Sequence, residues 1–166
     1  AFRDTGLLLD HVNSHHHMHL HPTVLNILLK VGKEYGLRAA RLPYEPPIPS
    51  WQASGKALLR RLGIWFFLYP WITLVKSRLK GQRVCSNDFV YGMNDSGRMN
   101  LDLVLRFLKY LPDGVTEIYF HPIIFKSEPR GKDSHCGKDL EALISPQTRQ
   151  TILASGVQLV AFSDLG

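Results

Sequence analysis

The chain has 166 residues, 45% of them hydrophobic and 20% charged, which excludes a largely disordered protein and predicts a single domain, residues 1–166. The formal net charge of +6 comes from basic residues that form no long block and accompany no nucleic-acid motif, so we expect an anionic surface rather than a nucleic acid as partner. Two distant cysteines, Cys85 and Cys136, argue against a disulfide scaffold and are typical of a reducing, cytoplasmic compartment.

Strands and helices alternate along the chain. The hydrophobic patterns predict strands at residues 8–14, 37–42, 84–89, 117–120 and 157–162, and helices at residues 22–36, 51–80, 100–111 and 146–154. Pro70 is expected to break the long helix, and the proline-rich stretch 43–50 and the polar stretch 125–138 are predicted to be loops. This alternation predicts an α/β fold with a parallel sheet and right-handed crossovers, either an open sheet or a barrel.

Polar residues lie at the end of every predicted strand. In parallel α/β folds the chemistry gathers at the carboxyl ends of the strands, so these residues are expected to share one pocket. They are the histidine run 15–21, then Arg41 and Glu45, then Asn87 and Asp88, then His121, and last Asp164.

Five histidines fall within the seven residues from His15 to His21. Alternate positions of an extended strand point to one face, so a strand end here could direct several imidazoles into one metal-assisted active site. The interruptions at Met18 and Leu20 argue against an expression tag. Two other interpretations stay open: a surface tract that binds metal loosely, and histidines that only form hydrogen bonds within a core.

The run belongs to a longer pattern. Residues 10–22, D-H-V-N-S-H-H-H-M-H-L-H-P, resemble the D-H-V-D-S-H-x-H-x-H-x-x-P signature of the YdjC-like carbohydrate deacetylases. The segments E-Y-G-L at 34–37, R-L-P-Y-E at 41–45, S-N-D-F at 86–89 and T-E-I-Y-F-H-P at 116–122 are similar to later segments of that family. The branch associated with bacterial hopanoid biosynthesis is the most similar.

This resemblance implies a fold, a reaction and a set of site residues. The fold would be part of a distorted (β/α) TIM-like barrel. The reaction would remove N-acetyl groups from a sugar or glycolipid with a divalent metal, Mg²⁺ or Zn²⁺. By position, His15 would be a metal ligand, His17, His19, Arg41 and Glu45 would contact substrate, and His121 would be the catalytic proton donor. The alternatives are a surface ion pair for Arg41 and Glu45, a cap beside Pro122 for His121, and a turn for Asp88.

The sequence also departs from the family pattern. The family's N-A-D-D-F-G and G-x-H segments, which carry an aspartate and a histidine ligand, do not occur, and Asn13 and Ile123 replace the family's aspartate and glycine. We therefore expect the chain to be the C-terminal portion of the domain and to be inactive alone. The alternatives are a His-rich metal-binding protein and a scaffold whose exposed sheet edges associate into a homodimer.

Residues 63–75 form an apolar run without charge, flanked by basic residues. A bilayer span needs about 20 apolar residues, so this run is predicted not to cross a membrane. Aromatic residues with basic flanks are typical of a segment at a membrane surface, so peripheral contact with the inner membrane through Trp65–Trp71 is one hypothesis. The other is a buried helix pair or a subunit interface.

Overall fold

A computed structural model describes residues 3–123 and 136–165 of the chain. The strands and α-helices within these ranges follow in chain order: β1 (His11–Val12), α1 (Pro22–Glu34), β2 (Ala39–Ala40), α2 (Pro47–Ser54), α3 (Leu58–Gly81), β3 (Phe89–Tyr91), α4 (Leu101–Lys109), β4 (Thr116–Ile118), α5 (Cys136–Ile144) and α6 (Pro146–Ala154). Short 3-10 segments lie at Arg3–Thr5, His15–Leu20 and Phe162–Leu165.

The strands pair in parallel, as predicted, but they are shorter than predicted. β1 pairs with β2 in the register His11 to Ala39, and β3 pairs with β4 in the register Phe89 to Thr116. One further parallel bridge joins Ala39 to Cys85. The molecule is therefore a mixed α/β structure with short parallel ladders.

The chain divides into two compact units. The first comprises residues 1–43, 69–87 and 159–166, and the second comprises residues 44–68 and 88–158. In the first unit, buried apolar side chains from α1, the segment after β2 and α3 form the core, among them Leu25, Leu42, Val75 and Leu79. In the second, α2, α4 and α5 bury a cluster around β3 that includes Ala53, Tyr91, Met99, Val104, Phe107 and Ala142.

Three helices confirm the sequence predictions, and their ends have identifiable causes. α1 begins at Pro22, where the missing backbone N–H costs nothing. The Asn100 side chain accepts a hydrogen bond from the Leu103 backbone N–H at 3.0 Å and caps α4. Ser145 accepts from the Gln147 N–H at 3.2 Å ahead of α6, which has proline at its first position.

The proline-rich loop prediction is wrong for part of its length. α2 begins at Pro47 and includes Pro49. The first four backbone N–H groups of a helix have no intrahelical partner, so prolines in the first turn remove no hydrogen bond. The first bond of this helix runs from the Ser50 N–H to the Pro46 carbonyl at 3.2 Å.

The predicted break at Pro70 is also wrong, because α3 continues through it. The interruption lies earlier, where Gly55 has a φ of +69° and closes α2. α3 has 24 residues and an 18-residue window of mean hydropathy 1.3 that is 17% buried. In the described part of the chain it alone is long and apolar enough to cross a membrane, by length and composition only, which corrects the length argument made from residues 63–75.

The remaining differences lie toward the C-terminus. Residues 157–162 form no strand, and they lie mostly exposed beside no partner strand in the described residues. The strand predicted at 84–89 is displaced to Phe89–Tyr91. α5 replaces the end of the loop predicted at 125–138, and residues 125–135 of that loop lie outside the described residues.

Candidate active site

The histidine-rich run is a turn and not a strand end. His15–Leu20 forms a 3-10 segment with His16 and His17 at φ values of +51° and +55°. The expectation that alternate histidines share one face of a strand is therefore wrong. Left-handed backbone at a non-glycine residue costs about 1–2 kcal/mol, so two such residues in succession must be held by surrounding contacts.

Ser14 and His19 supply those contacts. The Ser14 Oγ accepts a hydrogen bond from the His19 backbone N–H at 2.8 Å and lies 3.0 Å from His19 Nδ1. His19 Nε2 lies 2.8 Å from the Arg41 carbonyl oxygen, which can only accept, so Nε2 carries the proton and Nδ1 accepts from the serine hydroxyl. Burial, opposed by that carbonyl, lowers the pKa of His19. Both ring nitrogens are engaged, so His19 holds the turn in place.

His17 is the unusual member of the run. Its Nδ1 atom is buried and has no hydrogen-bond partner among the described residues. Burial first, and then the charges of His19, Arg41 and His16, lower the pKa of His17 to about 4. The ring is therefore neutral near pH 7, and its Nδ1 atom is able to form a hydrogen bond with a ligand.

Arg41 comes to the same place from β2. Its backbone N–H donates to the Val12 carbonyl at 3.0 Å, which extends the ladder between β1 and β2 by one bond. Its guanidinium acts on the pKa values of both His17 and His19. The structure thus brings together three of the predicted substrate-contacting residues, and Arg41 adds a positive charge to them.

The described residues do not form a metal centre. Within residues 3–123 and 136–165, no group of three or more His, Cys, Asp or Glu side chains is placed to hold a metal ion. A catalytic zinc site needs three protein ligands and an open position. His15 is exposed, with its ring 3.9 Å from that of His16 between centroids, and it could supply one ligand of a larger set.

Glu45 belongs to the second unit and is buried there. One carboxylate oxygen contacts the Arg61 guanidinium at 2.8 Å and the Ser50 hydroxyl, and the other accepts from the Asn94 backbone N–H at 2.9 Å. The partner of Glu45 is therefore Arg61, not the Arg41 considered from sequence. Its carboxylate is already saturated by groups of the protein, an arrangement that stabilises α2 against α3.

His121 also lies in the second unit, just after β4. Its backbone N–H donates to Asp139 Oδ2 at 3.1 Å, and its Nδ1 atom lies 3.2 Å from the Ser96 hydroxyl. The ring meets Tyr119 edge-on with centroids 5.2 Å apart. Because Nδ1 is engaged, Nε2 is the nitrogen that can exchange a proton with a substrate.

Asp139, which is fully buried in α5, was not among the predicted site residues. Its second oxygen, Oδ1, accepts from the Met99 backbone N–H at 2.9 Å, so one carboxylate fixes both that loop and the end of β4 beside His121. A lone aspartate in the first turn of a helix carries no signal of burial in sequence. Ser14 was also missed, although its position before the histidine run could have suggested a turn-forming hydroxyl.

Three polar residues assigned to the shared pocket have structural positions. Asn87 precedes β3 and pairs with both backbone groups of Leu42, at 2.8 and 2.9 Å. The Asp88 carboxylate accepts from the Val115 backbone N–H at 3.0 Å, and that of Asp164 accepts from the Ala161 N–H at 2.8 Å. Asn87 and Asp88 thus hold segments that are distant in sequence together, and Asp164 closes a local turn.

The chain is a mixed α/β protein in which a strained, histidine-rich turn follows the first strand of a parallel pair. The sequence profile of the YdjC-like protein family matches residues 1–154, so the chain belongs to this family. A carbohydrate deacetylase of Brevibacillus brevis is 25% identical over 99% of this chain and 57% of its own length. One of Vibrio parahaemolyticus is 40% identical over 52 residues, which are 30% of this chain and 21% of the relative.

A solved structure shows the same fold. The crystal structure of a candidate cellobiose-phosphate cleavage protein from Enterococcus faecalis superposes with a TM-score of 0.64, over 99% of this chain and 56% of that one. At 18% identity this likeness concerns the fold alone. The chain spans little more than half the length of this structure and of the Brevibacillus relative.

Proposed function

We propose that this chain serves a carbohydrate deacetylase that hydrolyses the N-acetyl amide of a sugar or glycolipid. Two relatives named carbohydrate deacetylases support the reaction class. The observation that carries the proposal is the neutral imidazole of His17, whose buried Nδ1 lacks a partner among the described residues and lies within the electrostatic reach of Arg41. Such a group can bind a sugar hydroxyl without the cost of removing a charge from water.

The residues divide the work of amide hydrolysis. Water adds to the acetyl carbon and gives up a proton, the C–N bond breaks to leave acetate, and the amine takes up a proton as it leaves. We assign that proton donation to His121 through Nε2, with Ser96 and Asp139 as its positioning residues. His17 and Arg41 would bind the sugar, and His19 would hold the turn that carries His17. Glu45 would act by supporting the fold.

A metal cofactor is part of the proposal. We propose Mg²⁺ or Zn²⁺, with His15 as one ligand; the described residues contain no set of three His, Cys, Asp or Glu side chains that could complete the site. When bound, such an ion would supply positive charge to the acetyl carbonyl. The run's imidazoles can also recruit zinc adventitiously, so metal binding alone would not demonstrate activity.

Further proposals on fold, substrate and location follow from the family resemblance and from the share of the Brevibacillus relative that the chain covers. We propose that the chain forms the C-terminal part of a distorted (β/α) TIM-like barrel, that it is inactive alone, and that the whole protein works in the hopanoid-associated branch on an amphiphilic glycolipid. We place it in the cytoplasm, peripheral to the inner membrane, with a homodimer as its assembly. Support comes from the 57% coverage of the Brevibacillus relative, the unpaired Cys85 and the exposed apolar side chains of α3.

The test measures amine release by the whole protein from N-acetylglucosamine oligomers and from an N-acetylated glycolipid, with metal and with a chelator. We expect His121→Ala to lower kcat/KM by about 100-fold or more, since positioned acid–base groups contribute about 10²–10⁴-fold. We expect His15→Ala to lower kcat/KM together with the affinity for the metal, because it removes one proposed ligand. His21→Ala is the matched control, because it removes an exposed imidazole from the same run.

The outcomes separate the candidate functions. Hydrolysis that survives the chelator would contradict the metal, and hydrolysis that survives His121→Ala would contradict the assigned proton donor. Tight stoichiometric metal binding without release of amine from either substrate would instead identify a His-rich metal carrier.

A further inference from the structure

α3 carries apolar side chains on two opposite faces. On one face Ile72, Val75 and Leu79 are each exposed by 5% or less. On the other, four large side chains lie open to solvent, and their spacing of seven and eight residues places them on one side of an α-helix. Their exposures are 85% for Leu59, 67% for Phe66, 79% for Phe67 and 44% for Leu74. We call these four residues the outer face.

The two tryptophans of this segment do not belong to the outer face. Trp65 donates its indole N–H to the Tyr44 hydroxyl at 3.2 Å, and Trp71 donates to the Leu20 carbonyl at 3.2 Å. Both rings are half-buried. The contact expected from sequence through Trp65–Trp71 therefore shifts to the neighbouring phenylalanines, which make an edge-on pair with centroids 5.6 Å apart.

The charged side chains of α3 itself are all basic. α3 contains five basic residues and no acidic residue. Arg61 is used internally, but Arg60 is exposed near the start of the helix, and Lys76, Arg78 and Lys80 are exposed near its end. Within residues 3–123 and 136–165, Arg60 donates to the neutral Asn94 carbonyl at 3.3 Å, a contact that leaves its charge uncompensated. A complementary partner is apolar in its interior and negative at its surface, which describes an anionic lipid layer.

The helix is fastened in a way that favours lying on a membrane over crossing it. Arg61 is 2% exposed and contacts Glu45 at 2.8 Å and Asp95 at 2.7 Å. A spanning helix would have to carry this buried charge network into hydrocarbon, where unsatisfied polar groups are costly. With one face buried and the other open, the helix can place only its outer face in lipid.

We propose that α3 docks this protein on an anionic lipid surface, with Leu59, Phe66 and Phe67 entering the apolar layer and the basic side chains contacting the headgroups. This inference adds a site to the proposed function and does not depend on deacetylation. It names which side chains make the peripheral contact.

Co-sedimentation of the whole protein with vesicles tests the proposal. The vesicles contain phosphatidylcholine alone or phosphatidylcholine mixed with phosphatidylglycerol. We expect binding to the mixed vesicles that weakens with added salt. The double variant F66S/F67S should lower the partition coefficient about tenfold or more, because two large apolar side chains are lost from the contact. The variant K76E/R78E, which keeps the aromatic side chains, should lose the preference for phosphatidylglycerol.

The matched control is I144S/L153S. Ile144 and Leu153 are 70% and 74% exposed, so the same chemical change is made at equal exposure on other helices, and we expect parental binding. Circular dichroism verifies that each variant is folded. Parental binding by F66S/F67S, or binding by the parent that ignores the anionic lipid, would overturn the proposal.

A second copy of the chain is the competing occupant. A dimer that F66S/F67S dissociates in gel filtration, together with no vesicle binding by the parent, would assign the outer face to self-association and overturn the lipid proposal. No sugar enters these measurements, so their failure leaves the deacetylase proposal intact, and a failed amine-release assay leaves the lipid proposal intact.

Discussion

At the scale of single residues, three features of His17 each lower the stability of the folded state. Its backbone is left-handed, its imidazole is half-buried, and its Nδ1 lacks a partner in the described chain. Strained and unsatisfied groups persist where the surrounding structure fixes them, and such positions cluster at functional sites. The Ser14–His19 contacts do that fixing here, which is why we assign ligand binding to His17 and not to His19.

The lowered pKa of His17 makes stability depend on pH in one direction. In the unfolded chain an ordinary histidine has a pKa of 6.5, whereas folding lowers that of His17 to about 4. The unfolded state therefore binds the proton more readily, so this contribution to stability is present above about pH 6.5 and is lost as the pH falls through about 4. We expect His17→Asn to flatten the dependence of the unfolding free energy on pH in this range, as measured by urea titrations.

Asparagine is chosen because it removes the titrating imidazole without adding backbone strain. Asparagine tolerates the left-handed region, whereas His17→Ala should cost about 1 kcal/mol more at every pH because alanine does not. Since the ring is only half-buried, solvent screening will make the change in slope modest. Equal slopes for the parent and His17→Asn would contradict the prediction.

Asp139 offers a second test at this scale. Its two oxygens each accept one backbone N–H, from Met99 and His121, and an asparagine side chain can accept only one of them. Asp139→Asn should therefore lower the unfolding free energy by about 1–3 kcal/mol and speed hydrogen exchange at the His121 amide. Asp113→Asn, at an exposed position, should change stability by less than about 0.5 kcal/mol.

At the scale of elements, the sequence predicts periodic helices well and short parallel strands poorly. α4 and α6 were predictable because their apolar spacing and side-chain caps are local signals. The strands have two or three residues, and their positions depend on which distant segment pairs with them. Residues 157–162 show the consequence, since this apolar run has no ladder partner among the described residues and forms no strand.

The prolines of α2 and α3 do not interrupt these helices, for two different reasons. Pro47 and Pro49 lie in the first turn of α2, where no intrahelical hydrogen bond is lost. Pro70 lies in the middle of α3 and does forfeit one bond, yet the helix has enough turns on either side to continue. The carbonyl left without its helical donor is that of Phe66, four residues earlier, whereas the Thr73 hydroxyl donates to the Pro70 carbonyl itself at 2.8 Å.

Much of the candidate site was equally beyond prediction. The spacing of the histidines suggested a shared face, but the strained turn that arranges them depends on Ser14 and on the Arg41 carbonyl, 22 residues from His19. Sequence could nominate His17 and Arg41 from the family signature. The sequence could not show that Glu45 forms a buried ion pair with Arg61, since the partner of a buried charge is set by tertiary packing.

Gly92 directly follows β3, and its close approach to the chain after β4 gives a testable prediction. Gly92 has a φ of +100°, and a Cβ atom there would lie 2.6 Å from the Tyr119 carbonyl oxygen. Gly92→Ala should therefore cost about 2 kcal/mol or more in unfolding free energy, from strain and overlap together. Gly156 has a φ of +71°, at the edge of the left-handed helical region, and no atom lies within 4 Å of its Cβ position, so Gly156→Ala should cost about 1 kcal/mol. Equal costs would show that the overlap relaxes freely.

At the scale of the whole molecule, one buried charge network joins chain segments that are far apart in sequence. Arg61 of α3 contacts Glu45 before α2, Ser50 and Ser54 within α2, and Asp95 after β3. Removing these charges from water is costly, and the mutual contacts offset that cost only while all members are present. Such a network makes the folding of the second unit cooperative.

Arg61→Met should therefore be the most damaging single change considered. It leaves Glu45 and Asp95 without their cation, with Glu45 only 2% exposed in its side chain, and breaking one partner of a buried pair costs about 3–5 kcal/mol. The double variant Glu45→Gln/Arg61→Met should recover part of the loss, because it removes the uncompensated charge. Arg106→Met is the matched control: its pair with Asp102 is an exposed pair one helical turn apart, expected to contribute about 0.5 kcal/mol or less. Urea unfolding of the three variants measures these differences, and an Arg61→Met cost no greater than that of Arg106→Met would show that the network does not stabilise the unit.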